Sequence, residues 1–546
     1  MSSDHSFVKT TGPGSMNLEF RTNRRADIPA PTGAMKQFRQ PRRISLVAGF
    51  IVSIAAALMT VGCGSSSKTT TTPAGNGTLY TFVSDTPSCN LLSLGVFLTE
   101  LDLHKVGAPS GTNVTVWPTN SSPTSPVVEM STLRDTMTIV NVTSVAAATY
   151  DQVILKAVVN TAAVYNPTQS PPVSTLVPTV STSNVTINLS PPLTITAGKV
   201  SGLLLDLNLP QSVTLSTDSS GKVTGNVNWQ FSSRALTPSG TTGFGEMDAL
   251  YGFVRSINNS SPGGNFTSSF LLQTLSETST GQGPALSVDL TKDTQLIGVS
   301  RIDQMPTGSY VEVDAYVDSN GNLVANAIQV EDRESLANKK LAYLGPVLDV
   351  TNSNGNITQF DMLVRETQPT DPTEVANDST VTVYVSSSTT FNQFLLSSDL
   401  ANMASSGSLA IDDTNLSPGQ EVVVSGVFTK PSSGPVTVAA DSIYPRMQAV
   451  QGTFAGLVGA PGSDNKTGAF NMVPCNGLLA GTPFMVVTDA QSNFENTSGL
   501  STLSQVSPLL ARGLTFFSIN GTTIGATGTT VPAGTMVLLA KQVRQF

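Results

Sequence analysis

Tyr251-Gly252-Phe253-Val254, Leu344-Gly345-Pro346-Val347 and Gln451-Gly452-Thr453-Phe454 are three versions of one opening, a glycine set inside a short apolar run. Gly345 follows Gly252 by 93 residues and Gly452 follows Gly345 by 107. After each opening comes a middle strand, Leu286–Leu290, Val381–Val385 or Phe484–Thr488, then a polar turn and an apolar residue at Leu296, Phe391 or Phe494. The first two copies close alike, on Gly308–Val317 with Asn322–Val330 and on Gly419–Phe428 with Val436–Tyr444. The third closes on Gly534–Ala540 and reads as lacking the final hairpin, which makes it the weakest copy. A period near 100 residues is too long for a solenoid and suits small closed β-barrels in tandem. Each copy has enough strands to seal itself, so independently folding units are expected.

Outside the repeat the same alternation holds. From Leu79 onward no apolar pattern of helical period runs beyond about three turns, while short Val, Thr, Ile and Leu runs alternate with Asn-Gly, Ser-Gly and Pro-Gly turn signals. In one strand, Phe97, Thr99, Leu101 and Leu103 fall on one face and Val96, Leu98, Glu100, Asp102 and His104 on the other. Leu203, Leu205, Leu207 and Leu209 make another strand with a leucine face, and Asp218–Gly221 reads as a hairpin turn. The chain is therefore expected to be all-β, an N-terminal β-sandwich-like domain (78–238) followed by three tandem small β-barrel, OB-like domains at 245–334, 339–446 and 448–546.

Two resemblances join this reading. The opening Gly77-Thr78-Leu79, Ser84-Asp85-Thr86-Pro87, the strand Val96–His104, Ala148–Val153 and Ala197-Gly198-Lys199 before Leu205-Asp206-Leu207 resemble, in that order, a bacterial family known as domain of unknown function 4382. The repeat, with its glycine-opened strand, its Gly-x-x-Val-x-Val strand and its Ala-rich terminal strand, resembles domain of unknown function 5666, which implies a small, extracytoplasmic, OB-like fold. Neither resemblance implies an activity.

Charge removes whole classes of function. Beyond residue 62 there are 20 Lys and Arg against 34 Asp and Glu, a net of −14, the opposite of the basic surface that nucleic acid requires. Of two histidines, His5 lies in the N-terminal segment, so His104 is the one imidazole of the body and a multi-histidine zinc site is impossible.

Residues 1–62 read as an N-terminal extension and a signal peptide. Lys36, Arg39, Arg42 and Arg43 precede an apolar run from Leu46 to Met59, too short for a permanent span. Thr60-Val61-Gly62-Cys63 resembles the lipobox of bacterial lipoproteins, which implies cleavage before Cys63 and its lipidation, although Thr60 stands where an aliphatic residue is usual. Arg42-Arg43 leaves twin-arginine export as an alternative, and Met35 is a second candidate start. Residues 63–77 then form a tether of about 20 Å root-mean-square reach. Gly64 resembles the sorting position of outer-membrane cargo, so the expected location is a bacterial membrane, the outer one or the cell surface.

Local chemistry is sparse. Glu100, Asp102 and His104 are the candidate metal ligands, but alternate strand residues stand ~6.7 Å apart, so a solvated polar face is the plainer reading. Asp318–Asn322 carries oxygen ligands without the later glutamate of a calcium loop and reads as a hairpin turn. Asp412-Asp413 and Glu331-Asp332-Arg333-Glu334 read as solvated charge in linkers, Trp229 as core, and the sequons such as Asn113-Val114-Thr115 carry no weight in a bacterium. Trp117 and Trp229 with few other aromatics do not suggest a sugar-stacking groove. Cys89 and Cys475 fall in different modules and are expected to be free or buried thiols. No phosphate loop, nucleophile elbow or zincin helix is found. The expected function is a non-catalytic binding or structural module of the envelope without cofactor, its partners the membrane through the lipid and an envelope protein or glycan. A carboxylate-based glycan hydrolase is the alternative.

Overall fold

The structure is a computed structural model that describes residues from Gly75 onward, except 87, 90, 119–126, 134–136, 177, 183, 220–221, 237, 239–243, 275–283, 298, 331–340, 369–378, 392–402, 405–408 and 526. It is almost all β, with the modules in the order read from the sequence. The first module comprises β1 (Asn76–Thr86), β2 (Leu91–Lys105), β3 (Asn113–Trp117), β4 (Val127–Glu129), β5 (Thr138–Ala146), β6 (Ala148–Tyr165), β7 (Val173–Leu176), β8 (Thr179–Thr182), β9 (Asn184–Ile195), β10 (Val200–Asn208), β11 (Val213–Thr217), β12 (Val223–Asn228) and β13 (Phe231–Leu236). One sheet runs β13-β10-β1-β5, with β1 and β10 parallel. It packs on a second, β3-β2-β6-β7, to which β4 and β9 add. Strand parity makes the layers: Leu79 and Val83 of β1 and Leu203, Leu205 and Leu207 of β10 meet Leu98, Leu101, Val153 and Leu155 of the second sheet. Both indoles are buried in this core, Trp117 donating to the Leu98 carbonyl (3.1 Å) and Trp229 to that of Ala157 (3.1 Å).

The expected faces of β2 do not hold along its whole length. Register shifts between Leu98 and Glu100, so Val96 and Leu98 are buried before the shift and Leu101 and Leu103 after it. A β-bulge adds one residue and reverses which parity points inward, an event that alternation alone does not reveal.

The repeat builds three five-stranded rings. Barrel 1 is β14 (Glu246–Asn258), β15 (Phe266–Thr274), β16 (Ala285–Ile297), β17 (Tyr310–Val317) and β18 (Leu323–Val330), closed in the order β14-β15-β16-β18-β17. Barrel 2 adds β19 (Leu341–Ser353), β20 (Asn356–Val364), β21 (Glu366–Gln368), β22 (Ser379–Tyr384), β23 (Thr390–Phe391), β24 (Glu421–Thr429) and β25 (Val436–Pro445). Barrel 3 adds β26 (Gln448–Leu457), β27 (Gly468–Pro474), β28 (Phe484–Thr488), β29 (Asn493–Glu495), β30 (Pro508–Ser518), β31 (Thr522–Ile524), β32 (Thr529–Val531) and β33 (Thr535–Gln545). The rings β19-β20-β22-β25-β24 and β26-β27-β28-β33-β30 repeat the order of barrel 1, with the third and fifth ring strands parallel in every copy. This is the OB-like arrangement.

The opening glycines sit where the first strand bends between two neighbours. A Cβ on Gly252, Gly345 or Gly452 would stand 2.4, 1.8 or 2.3 Å from the carbonyl oxygen of Gln273, Leu363 or Val473 on the next strand, so no larger residue fits. A second recurrent device, a hydroxyl latch, follows the middle strand. The hydroxyl of Thr294, Thr389 or Ser492 accepts from the backbone N–H three residues earlier and donates to the carbonyl of Ala325, Ala440 or Ala540 on the last strand. The apolar residues Leu296, Phe391 and Phe494 then pair, in parallel, with that last strand.

Two expectations are corrected here. Barrel 3 does not lack a closing strand: β30 is its fourth strand, and Gly534–Ala540 belongs to the fifth. Nor are the modules beads on a string, since the described residues from Gly75 to Phe546 form one compact unit. Met485, Val487, Leu514, Phe516, Val537 and Leu539 point out of barrel 3 into the core of barrel 2, while alternate residues such as Val486 and Leu538 fill barrel 3 itself. Strands buried on both faces read as continuous apolar runs, as Phe484–Val487 and Met536–Ala540 do. In the same way, Phe82 of β1 and Ile139 of β5, on the far side of the first sheet, join the core of barrel 1.

Candidate functional site

Where the sandwich meets barrels 2 and 3, Leu92, Ala163, Val173, Leu348, Leu363 and Leu478 form a small shared core. Beside it lies a chain of buried charges. Arg365, at the end of β20, is 2% exposed; its Nε donates to the Leu92 carbonyl (2.5 Å) and a terminal nitrogen pairs with Glu421. Glu129 of β4 accepts from the backbone N–H of Leu94 (2.7 Å), the Ser93 hydroxyl (2.7 Å) and both N–H and hydroxyl of Ser131 (3.1 and 2.6 Å). Burial pushes the Glu129 carboxyl up, opposed by these donors and by the Arg365 charge. Arg446 stacks on Tyr251 of barrel 1 at 4.7 Å and donates to its hydroxyl (2.8 Å). Burial works against its charge, but Tyr251, Glu366, Glu312 and Glu421 outweigh that and hold the guanidinium above its ordinary range. Glu129, Glu312 and Glu421 are buried, and the cluster bridges the sandwich and the barrels. Neither Arg365 nor Arg446 stands out in the sequence, because a lone arginine at a strand end has no signature that separates burial from solvent.

The residues singled out from sequence do not converge on a metal. Glu100 pairs with Lys156 across the strands (2.5 Å), and His104 Nδ1 lies 2.8 Å from Asp151. The hydrogen bond to Asp151 raises the imidazole above its ordinary value. Asp102 lies between them on the same strand, and among the described residues no three His, Cys, Asp or Glu side chains come together as metal ligands would. Asp318 closes the hairpin of barrel 1, accepting from the backbone N–H of Asn320 (2.8 Å) and Asn322 (2.9 Å). Asp412-Asp413 is not a linker but a turn within barrel 2, where Asp412 accepts from Thr414 (2.8 and 2.6 Å) and the Asp413 carbonyl from Ile357 N–H (2.5 Å). Glu331–Glu334 and Cys63 lie outside the described residues.

A cleft of about 450 Å³ opens on barrel 1 where the latch of β16 interrupts its parallel pairing with β18. Asn265, Thr291, Lys292, Asp293, Tyr316 and Asn326 line it. One half-buried ring beside amides and a loose Lys292–Asp293 pair (3.9 Å) offers donors, acceptors and an apolar face.

The largest departure from expectation is a disulfide between Cys89 and Cys475, Cα atoms 5.1 Å apart and 386 residues apart in sequence. The free-thiol reading assumed separate modules; the shared core around Leu92 and Leu478 brings their loops together.

Residues 76–224 match the family described as domain of unknown function (DUF4382), which spans β1 into β12 and stops before β13. No curated protein matches the chain.

Proposed function

We propose that this is an exported bacterial lipoprotein, held by a lipid on Cys63 to the outer membrane or cell surface, whose body serves as a non-catalytic binding or structural module of the envelope. The observation that carries the reading is the Cys89–Cys475 cystine, because such bonds persist in oxidising compartments outside the cytoplasm. The basic, apolar, Cys63 order of the leader supports the anchor, and the four-module body locked by one bond and buried charges supports a rigid scaffold over an enzyme with moving parts. Expressed in a bacterial host, the native chain is expected to take up a fatty-acid probe and to pellet with membranes. Cys63→Ser is expected to do neither; equal behaviour of both forms ends the lipoprotein reading.

The barrel 1 cleft, with its half-buried Tyr316 ring among amides, is a candidate seat for a glycan ligand. A saccharide array probed with the whole chain is expected to show weak binding that Tyr316→Ala reduces roughly tenfold, the scale of one stacking contact. A parallel hydrolysis screen separates the enzyme alternative: turnover abolished by one Asp or Glu substitution would replace the binding reading with a carboxylate-based hydrolase.

A further inference from the structure

The tether joins the body at one end of the sandwich, and that end has a composition of its own. The Gly75 carbonyl accepts from Ala147 N–H (2.9 Å) and that of Asn76 from Gly198 N–H (2.9 Å), so the turns after β5 and β9 flank the start of β1. Val106 N–H bonds the Thr149 carbonyl (2.9 Å), which brings the β2–β3 turn to the same end. Val106 is 47% exposed, and Pro109 beside it is exposed as well. Residues 105–115, 144–150 and 194–201, which make up these turns, include Lys105 and Lys199 and no Asp or Glu, in a body of net charge −14. The acids around this end lie on neighbouring strands and turns: Asp102 opposite Thr115, Asp151 paired with His104, and Asp289 and Asp318 near Tyr80.

The opposite end of β1 leads to Cys89 and so to barrel 3. Eleven residues of strand separate the two ends by about 35 Å. Twelve Cα–Cα steps link Cys63 to Gly75, a span of at most about 40 Å and typically half that, so this end of the sandwich is the part of the body held closest to an anchored Cys63.

We propose that the sandwich end formed by Lys105, Val106, Pro109, Ala146 and Lys199 rests on the anionic phospholipid headgroup surface, with barrel 3 held away from it at the far end. This rests on the lipid-anchor reading and adds an orientation to it. Exposed valine and proline enter the interface, and the two exposed lysines, carried on turns that hold no Asp or Glu, meet anionic headgroups.

The test uses the lipidated full chain in vesicles of phosphatidylethanolamine and phosphatidylglycerol. Val106→Trp places a reporter in the proposed face and Val473→Trp, at a site 59% exposed on barrel 3, one at the far end; native Trp117 and Trp229 are buried and give a constant background. Vesicle binding is expected to shift the Val106→Trp emission to the blue and to let brominated acyl chains quench it, with no change for Val473→Trp. Lys105→Glu with Lys199→Glu is expected to roughly halve that quenching at low salt. Protein that floats with the vesicles while both reporters respond alike, or while Val106→Trp stays unquenched, overturns the orientation and leaves the anchor standing. Protein that does not float overturns both. Circular dichroism of each variant confirms that the turns tolerate the change.

Discussion

Arg365→Met is expected to lower the stability of the folded body by about 3–5 kcal/mol, read as a fall in the urea midpoint. The methionine fills much of the same volume, so the loss comes from charge: Glu421 is left buried without its cation, the Leu92 carbonyl loses a donor, and Glu129 loses the positive charge that opposes its desolvation. The sign with pH follows. A carboxyl whose folded pKa is raised favours the folded state below its unfolded value, near 4.3, and loses that contribution as pH rises through the folded value. Removing Arg365 raises Glu129 further, so the deficit of the variant should be smallest in acid and grow toward neutral pH. A deficit under about 1 kcal/mol at neutral pH would mean that the junction is wet, and that the buried pair does not hold the modules together.

Cys89→Ser is the second large effect. Closing a loop across 386 residues is worth ~6 kcal/mol in the chain-entropy account, and removal of native bonds commonly costs about 2–5 kcal/mol. The fold should persist, because the Leu92–Leu478 core and the Arg365 contacts still bridge the sandwich and barrels. Thermal unfolding of the native chain, oxidised and reduced, checks this: the reduced protein and the serine variant should melt together, well below the oxidised form and in one transition. Separate transitions for sandwich and barrels would show that the apolar junction contributes little and the covalent bond alone unites them.

Much of the architecture is legible in the sequence. The repeated glycines mark the strand that bends under a neighbour's carbonyl, and the serine or threonine after each middle strand marks the latch. Both follow from backbone sterics and hydrogen bonding within one module, so they leave local traces. What does not leave them is contact between modules. β30 carries no Gly-x-x-Val-x-Val signature and starts at Pro508, so the third copy looked incomplete. The apolar run Phe484–Val487 announces two buried faces without saying what buries the second. Cys89 and Cys475, Arg365 and Glu129 meet only because the modules pack, a fact that no spacing encodes. The candidate site suffers likewise: Tyr316, Asn265 and Asn326 come from separate strands and loops and form no motif in the linear chain.

The long reach of the cystine also sets an order of events during biosynthesis. If the chain is exported as proposed, threading from its N-terminus would deliver Cys89 to the far side while its partner is still 386 residues away, leaving the thiol unpaired until almost the whole polypeptide has crossed. In that interval the nearest thiol is Cys63, 26 residues upstream, and a bond between these two would trap the sandwich away from barrel 3. On the proposed lipoprotein reading, attack of the Cys63 sulfur on the glyceryl carbon of a membrane phospholipid, whose phosphate headgroup leaves, would turn that sulfur into a thioether and withdraw it from exchange. The lipid would then protect correct oxidation as well as provide an anchor, and a chain denied its S-linked lipid should accumulate the short, wrong loop.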